Sequence, residues 1–137
     1  MPSASKLNKI TPASLKILIV EDDKLNAELT GFYLEEIAAV DVAYNGESAI
    51  EKVKQNTYQL ILMDINLGMG MDGIETTRRI RRLDNYQYIP VIATTGYTLY
   101  NEIEQIKNSG FTDYLPKPFS RKELLTSITK NFLIKNV

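Results

Sequence analysis

Hydrophobic residues in this chain follow two different periodicities. Short continuous apolar runs rich in β-branched residues predict strands that are buried on both faces, and segments with apolar residues every three or four positions predict amphipathic helices. The predicted strands lie at 16–20, 40–44, 60–63, 90–93 and 113–115. A helical pattern follows each of them, and the sequence contains no internal repeat.

The predicted helices are bounded by residues that commonly start or stop a helix. The first helical pattern carries apolar residues from Leu25 to Ile37, with glutamates between them. Asn45 and Gly46 break the second strand run before the second helix begins. Gly110 follows the fourth helical pattern, in the usual position of a C-terminal glycine.

The strict alternation of strands and helices predicts the fold class. Each return between parallel strands needs a crossover helix and runs right-handed, so the chain is expected to form a parallel sheet covered on both faces. Five units are too few for an eight-fold barrel, and an open, doubly wound α/β sheet is the expected architecture. In such sheets ligands bind beyond the carboxyl ends of the strands, where the strand order reverses.

The length of 137 residues predicts one domain. Residues 1–14 are polar and rich in small residues, so they are expected to form a flexible lead-in or linker before a domain at 15–137. This segment lacks the apolar core of a signal peptide, and no apolar run approaches the roughly 18 residues of a membrane span. A cytoplasmic location is therefore the expectation.

The composition excludes several kinds of chemistry. The chain has neither cysteine nor histidine, which excludes disulfides, thiol nucleophiles, Ser-His-Asp triads and almost every catalytic zinc site. Its 16 basic and 17 acidic residues give a net charge of −1, which argues against binding nucleic acid or a membrane surface by bulk charge. A bound metal is expected to be a hard cation that prefers oxygen ligands.

Polar side chains stand where four of the five predicted strands end. They are Glu21, Asp22 and Asp23 after the first strand, Asp64 after the third, Thr94 and Thr95 after the fourth, and Lys117 after the fifth. Taken singly, such residues are explained as a helix N-cap, a loop hydroxyl or a solvated lysine. Several carboxylates in one cleft repel one another unless cations compensate them, so the group suits a divalent metal together with a phosphoryl group.

Five stretches of the sequence resemble the receiver domain of two-component response regulators, the aspartate phospho-acceptor module. They are ILIVEDD at 17–23, LILMDI at 60–65, MDG at 71–73, PVIATT at 90–95 and YLPKPF at 114–119. The resemblance covers residues 16–133, essentially the whole domain. It implies a flavodoxin-like (βα)5 fold with the strand order 2-1-3-4-5.

The resemblance also implies a metal site and a phospho-acceptor. Asp64 matches the phospho-accepting aspartate of the family. Glu21 and Asp22 match the acidic pair that holds Mg²⁺, with Asp22 as a direct ligand and Glu21 acting largely through water. Asn66 matches the position whose backbone carbonyl also reaches the metal, whereas Asp23 is expected to cap the first helix.

Further residues match the family's catalytic and switch positions. Thr95 and Lys117 match the hydroxyl and the ammonium that hold the phosphoryl oxygens. Tyr114 matches the aromatic switch residue, which responds together with Thr95. Lys117-Pro118 resembles the family's cis peptide bond.

The implied function is that of a phospho-accepting receiver in a two-component phosphorelay. A phosphohistidine on a histidine kinase or histidine phosphotransfer protein is expected to donate the phosphoryl group to Asp64 in a Mg²⁺-dependent reaction. The face formed by the fourth helix, the fifth strand and the fifth helix is then expected to switch. The domain is expected to catalyse only its own phosphorylation and dephosphorylation, without being a kinase.

The expected partners include neither nucleic acid nor a membrane, and the domain is expected to be a monomer or a phosphorylation-dependent dimer. Asn26 and the opening Ile-Val-Glu-Asp-Asp resemble receivers fused to hybrid sensor kinases, while a stand-alone regulator stays an open alternative.

Two other functions are open at this point. A pseudo-receiver that acts only as an interaction module is one, although the intact Asp22, Asp64, Thr95 and Lys117 speak against it. The other is an enzyme, a phosphatase or phosphotransferase with Asp64 as nucleophile. Phosphatases of the haloacid dehalogenase type need a second aspartate two residues further on, where this chain has Asn66.

The sequence departs from the family pattern near the site. Leu67-Gly68 replaces the usual Met-Pro, and the loop up to Asp72-Gly73 is one residue longer than usual and contains three glycines. Gly96 stands where alanine or serine is usual and is expected to leave more room around the phosphoryl group. Tyr97 is expected to add a large side chain over the site.

The third helical pattern carries a basic cluster, formed by Arg78, Arg79, Arg81 and Arg82. Pairing with Glu75 on a solvated face explains it most simply, and partner docking is the alternative.

Overall fold

A computed structural model describes residues 15–96 and 100–135, without the side chains of 100–102 and 133–135. The predicted lead-in, residues 1–14, lies outside the described residues. The strands are β1 Lys16–Val20, β2 Ala39–Ala43, β3 Leu60–Asp64, β4 Val91–Thr95 and β5 Asp113–Pro116. All five predicted strands are confirmed, with ends that differ by at most two residues.

The helices of the described residues also follow the predicted order. They are α1 Lys24–Leu34, α2 Gly46–Gln55, α3 Gly73–Arg81, α4 Tyr100–Lys107 and α5 Arg121–Lys135. A short 3-10 helix, Asp84–Tyr86, lies between α3 and β4 and was not predicted by the periodicity. Gly110 has a φ of +96°, which explains why the chain turns there with a glycine after α4.

Side-chain caps fix the beginnings of α1, α2, α3 and α5. Asp23, Asn45 and Asp72 each accept a hydrogen bond from the backbone N–H three residues further on. Ser120 and Glu123 form a reciprocal capping box at the start of α5. The expected role of Asp23 as a cap is therefore confirmed, which leaves the neighbouring Asp22 side chain available for other contacts.

The five strands form one parallel sheet in the order β2-β1-β3-β4-β5. Alternate residues of each strand point into two separate cores, because successive side chains of a strand face opposite sides. Leu18 and Val20 belong to the core under α2, α3 and α4, whereas Ile17 and Ile19 belong to the core under α1 and α5. The strand order reverses between β1 and β3, which places their carboxyl ends at the centre of the ligand-binding edge.

The apolar pattern of α1 predicts that its large apolar side chains are buried against the sheet, but several of them are exposed. Its buried residues are Ala27, Thr30 and Leu34. Leu25 and Phe32 are 78% and 65% exposed. Leu25, Leu29 and Phe32 therefore form an exposed stripe along the outer side of α1. No helix in the part of the chain that the structure describes is long and apolar enough to cross a membrane.

Candidate functional site

Four strands bring the predicted site residues to one edge of the sheet. Asp64 is the last residue of β3, Thr95 is the last residue of β4, and both are buried. Glu21 follows β1 directly, and Lys117 follows β5 directly. Because all the strands are parallel, their carboxyl ends meet at the same edge, and residues distant in the sequence become neighbours.

Lys117 joins the carboxylates of this edge. Its Nζ lies 2.6 Å from Glu21 Oε1 and 3.2 Å from Asp64 Oδ2. The backbone N–H of Lys117 donates to the carbonyl of Thr95 at 2.7 Å, which holds the start of the loop against β4. The Lys117-Pro118 peptide bond is cis, as the resemblance implied.

The ionisation of this group reflects its burial. Burial raises the pKa of Glu21 to about 7, and the neighbouring Asp64 acts in the same direction against the Lys117 ammonium. Burial lowers the pKa of Lys117, but the Glu21 and Asp64 carboxylates outweigh it, so that this pKa lies above its usual value. Lys117 therefore stays charged and compensates part of the negative charge of the site.

Asp64 is held from two sides. Its Oδ2 faces Lys117, and its Oδ1 accepts the backbone N–H of Asn66 at 2.9 Å. Because the Asn66 N–H is part of the following loop, this bond fixes the orientation of the carboxylate relative to the loop. Asn66 itself is exposed.

The carboxyl edge of the sheet brings together the carboxylates of Glu21, Asp22 and Asp64. One oxygen from each lies within 4.8 Å of the others. The single Lys117 ammonium offsets only part of this charge, and carboxylate oxygens are the ligands that Mg²⁺ prefers. The residues present therefore fit a hard divalent cation.

The switch positions of the resemblance lie on neighbouring strands. Ala93 of β4 is paired with Tyr114 of β5, and the half-buried Tyr114 side chain packs against the core under α2, α3 and α4. A Cβ built on Gly96 meets no atom within 4 Å among the described residues, in line with the expected room at this position. Tyr97 lies outside the described residues, as does the side chain of Tyr100.

The model of the response regulator receiver domain family matches residues 17–129 of this chain. The match covers β1 from Ile17, the other four strands in full and the complete carboxyl edge. The chain belongs to the response regulator receiver family. This receiver domain has the phospho-acceptor function of a two-component phosphorelay, and a mere interaction module is not favoured.

Known relatives include both long kinases and small regulators. The signal transduction histidine-protein kinase BarA of Escherichia coli is 35% identical over 112 residues, which are 81% of this chain and 12% of BarA. The receiver domain of the Pseudomonas aeruginosa sensor histidine kinase PA1611, with a magnesium ion coordinated in its active site cleft, is 33% identical at a TM-score of 0.79. That comparison covers 85% of this chain and 96% of the PA1611 chain.

A two-component response regulator from Clostridium difficile is 35% identical, with a TM-score of 0.81 over 90% of this chain and 99% of that chain. The receiver domain thus shares its fold and family with segments of large kinases and with a chain of its own size. It spans about an eighth of the length of BarA.

Two contacts of the site were not anticipated from the sequence. Glu21 is bonded directly to Lys117, whereas the resemblance implied a role at the metal that acts largely through water. Gly68 donates its backbone N–H to Asp22 Oδ2 at 3.0 Å. The sequence holds one indication of the second contact. Glycine replaces the usual proline at position 68, and unlike proline it has a backbone N–H that can donate.

Proposed function

We propose that Asp64 is the phospho-acceptor of this receiver domain. An oxygen of its carboxylate forms the bond to phosphorus while the bond from phosphorus to the imidazole nitrogen of a partner phosphohistidine breaks, and the imidazole leaves. This chain contains no histidine, so the donor is a histidine kinase or a histidine phosphotransfer protein. The observation that carries the proposal is the contact of the Lys117 ammonium with Asp64 Oδ2 at 3.2 Å.

The attack of a carboxylate on a phosphoryl group requires that both negative charges are offset. Glu21, Asp22 and Asp64 would hold Mg²⁺, together with the backbone carbonyl of Asn66. When bound, the ion supplies positive charge that neutralises the phosphoryl oxygens. Lys117 supplies the second positive charge, and the Thr95 hydroxyl donates a hydrogen bond to a phosphoryl oxygen.

We propose that the catalytic work of the domain is limited to its own phosphorylation and dephosphorylation. Its described residues provide positioning and charge compensation, which suffice for an in-line transfer. The magnesium ion of the PA1611 receiver supports Mg²⁺ as the cofactor here. The kinase relatives support a phosphorelay context for the whole protein.

We also propose that the donor protein docks on the exposed stripe of α1. This helix begins directly beside the site, at Lys24. A cavity of about 300 Å³ separates α1 from the loop after β5, and it is lined by Glu21 and Lys117 at the site and by Leu29, Tyr33 and Phe119 beyond it. A helical partner that packs on this apolar surface can present its phosphohistidine at the carboxyl edge.

The test of the phospho-acceptor is incorporation of acid-labile phosphate from acetyl phosphate with Mg²⁺. Asp64→Asn is expected to abolish incorporation, and removal of Mg²⁺ with a chelator is expected to abolish it in the wild type. Asp84→Asn, which changes an exposed aspartate at the opposite end of the sheet, serves as the matched control and is expected to leave incorporation unchanged. Phosphate incorporation that survives in Asp64→Asn contradicts the assignment.

A further inference from the structure

The Asp22 carboxylate is held by a contact that bridges two loops of the site. Its Oδ2 accepts the backbone N–H of Gly68 at 3.0 Å, across 46 positions of the sequence. The Asp22 residue is exposed, so burial does little to fix the orientation of its carboxylate. The hydrogen bond from Gly68 therefore selects one orientation of a carboxylate that lies within the acidic group.

Gly68 is itself well placed to act as a fixed donor. It follows Leu67, which is buried in the core under α2, α3 and α4 together with Ile65. Further along the same loop, the Glu47 carboxylate at the start of α2 accepts the backbone N–H of Met71 at 3.3 Å. The loop is thus held by a buried side chain before Gly68 and by a hydrogen bond after it.

The observed position of the Asp22 carboxylate also matches the absence of a side chain at position 68. A Cβ built on Gly68 would lie 2.8 Å from Asp22 Oδ2, a distance at which the carboxylate has to move. The usual family residue at this position, proline, offers no N–H at all. The contact in its observed geometry therefore fits glycine at position 68: alanine shifts the Asp22 carboxylate, and proline removes the donor.

We propose that Gly68 is a positioning residue that orients Asp22 for a divalent cation. The inference rests on the proposed Mg²⁺ site and adds to it a residue from the lengthened loop. Groups that hydrogen-bond to a metal ligand preorganise it, and their loss commonly weakens metal binding about 10- to 100-fold. Gly68→Ala displaces the carboxylate, and Gly68→Pro removes its donor, so both are expected to weaken Mg²⁺ binding about tenfold.

The experiment is a Mg²⁺ titration of the whole chain, followed by calorimetry and by backbone amide shifts. Met69→Ala is the matched control, because Met69 is the next residue of the same loop and is 87% exposed. We expect it to bind like the wild type. A wild-type chain that binds no Mg²⁺ contradicts the proposed metal site itself, whereas a Gly68→Ala chain that binds Mg²⁺ as tightly as wild type overturns only the role of Gly68.

A double variant distinguishes an effect of Gly68 that acts through the Asp22 carboxylate from a general disturbance of the loop. In an Asp22→Ala background, Gly68→Ala is expected to cause no further loss of Mg²⁺ affinity, since its effect acts through Asp22. A further tenfold loss in that background would overturn the inference. If Gly68→Ala does not fold, hydrogen exchange of the Gly68 amide decides: Asp22→Ala is expected to accelerate this exchange, and an unchanged rate overturns the inference.

Discussion

At the scale of single residues, Tyr58 shows how a buried polar group is satisfied away from the site. Its side chain is fully buried, and its hydroxyl donates to Asp41 Oδ2 at 2.6 Å. The hydroxyl of Tyr86 accepts the backbone N–H of Tyr58 and donates to the carbonyl of Asn56. The hydrogen bond from Tyr58 holds the pKa of Asp41 below its usual value, with a smaller contribution from Lys16.

This hydrogen bond predicts a pH-dependent contribution to stability. The pKa of Asp41 is lower in the folded than in the unfolded chain, so the contribution is present above the unfolded value of about 3.9 and is lost as the pH falls through the folded value. Tyr58→Phe is expected to lower the free energy of unfolding by about 1 kcal/mol at pH 7 and by less at pH 3.

Urea unfolding at both pH values measures this difference. Tyr88→Phe is the control, because Tyr88 is 83% exposed and no loss of stability is expected. An equal loss for Tyr58→Phe at pH 7 and pH 3 would show that an ionised Asp41 is not the acceptor.

At the scale of elements, the directions of some side chains on α3 and α1 differ from those that the sequence pattern predicts. On α3, Arg78 and Arg79 pair with Glu75, as predicted for a solvated face. Arg81 instead turns inward, where its guanidinium donates to the carbonyls of Tyr86, Ile89 and Gly110 at 2.8 Å. It thereby ties α3 to the segments before β4 and before β5.

If the donor protein docks on the exposed stripe of α1, substitutions in this stripe should affect transfer from the donor protein but not phosphorylation by a small molecule. Leu25→Lys and Phe32→Lys are expected to slow phosphoryl transfer from the cognate phosphohistidine protein about tenfold, a loss of about 1.4 kcal/mol of binding energy. Phosphorylation by acetyl phosphate is expected to stay unchanged, since neither residue belongs to the acidic group or to the Lys117 contact at the carboxyl edge.

Rates of transfer from the purified donor and from acetyl phosphate test this prediction in parallel. Tyr88→Lys, at an exposed position near the amino end of β4, is expected to change neither rate. Unchanged transfer from the donor in both α1 variants would mean that the partner docks elsewhere.

At the scale of the whole molecule, one sheet separates two cores, and the site lies at an edge shared by both. Thr95 ends β4, and Tyr114 packs on the core under α2, α3 and α4 from the adjacent strand. A phosphoryl group on Asp64 that draws Thr95 inward would open space for the Tyr114 ring. Such a change is a shift between two populations, and it requires tighter binding of the phosphoryl group in the active arrangement.

Beryllofluoride, a stand-in for the phosphoryl group, is therefore expected to shift the amide signals of α4 and of Tyr114 when added with Mg²⁺. Amides on the outer side of α2, such as that of Glu51, are expected to move little. Unmoved signals on α4 and at Tyr114, with shifts confined to the carboxyl edge, would contradict this route of propagation.

The sequence alone determined the order of the elements, the parallel sheet and the edge at which the chemistry-bearing residues collect. These features follow from local patterns: apolar runs at 16–20 and 60–63 mark strands buried on both faces, and a residue just after a parallel strand lies at its carboxyl edge. The resemblance added the strand order and the identity of the site residues. The fold and the family are confirmed, and the roles of the site residues stay predictions.

The tertiary structure alone decided which groups contact one another. Lys117 bonds to Glu21 across 96 positions and Gly68 bonds to Asp22 across 46, and no local pattern specifies such pairs. The outward direction of Leu25 and Phe32 and the inward direction of Arg81 likewise depend on what lies opposite them. The physical reason is that periodicity defines the faces of an element, whereas the packing of neighbouring elements decides which face is covered.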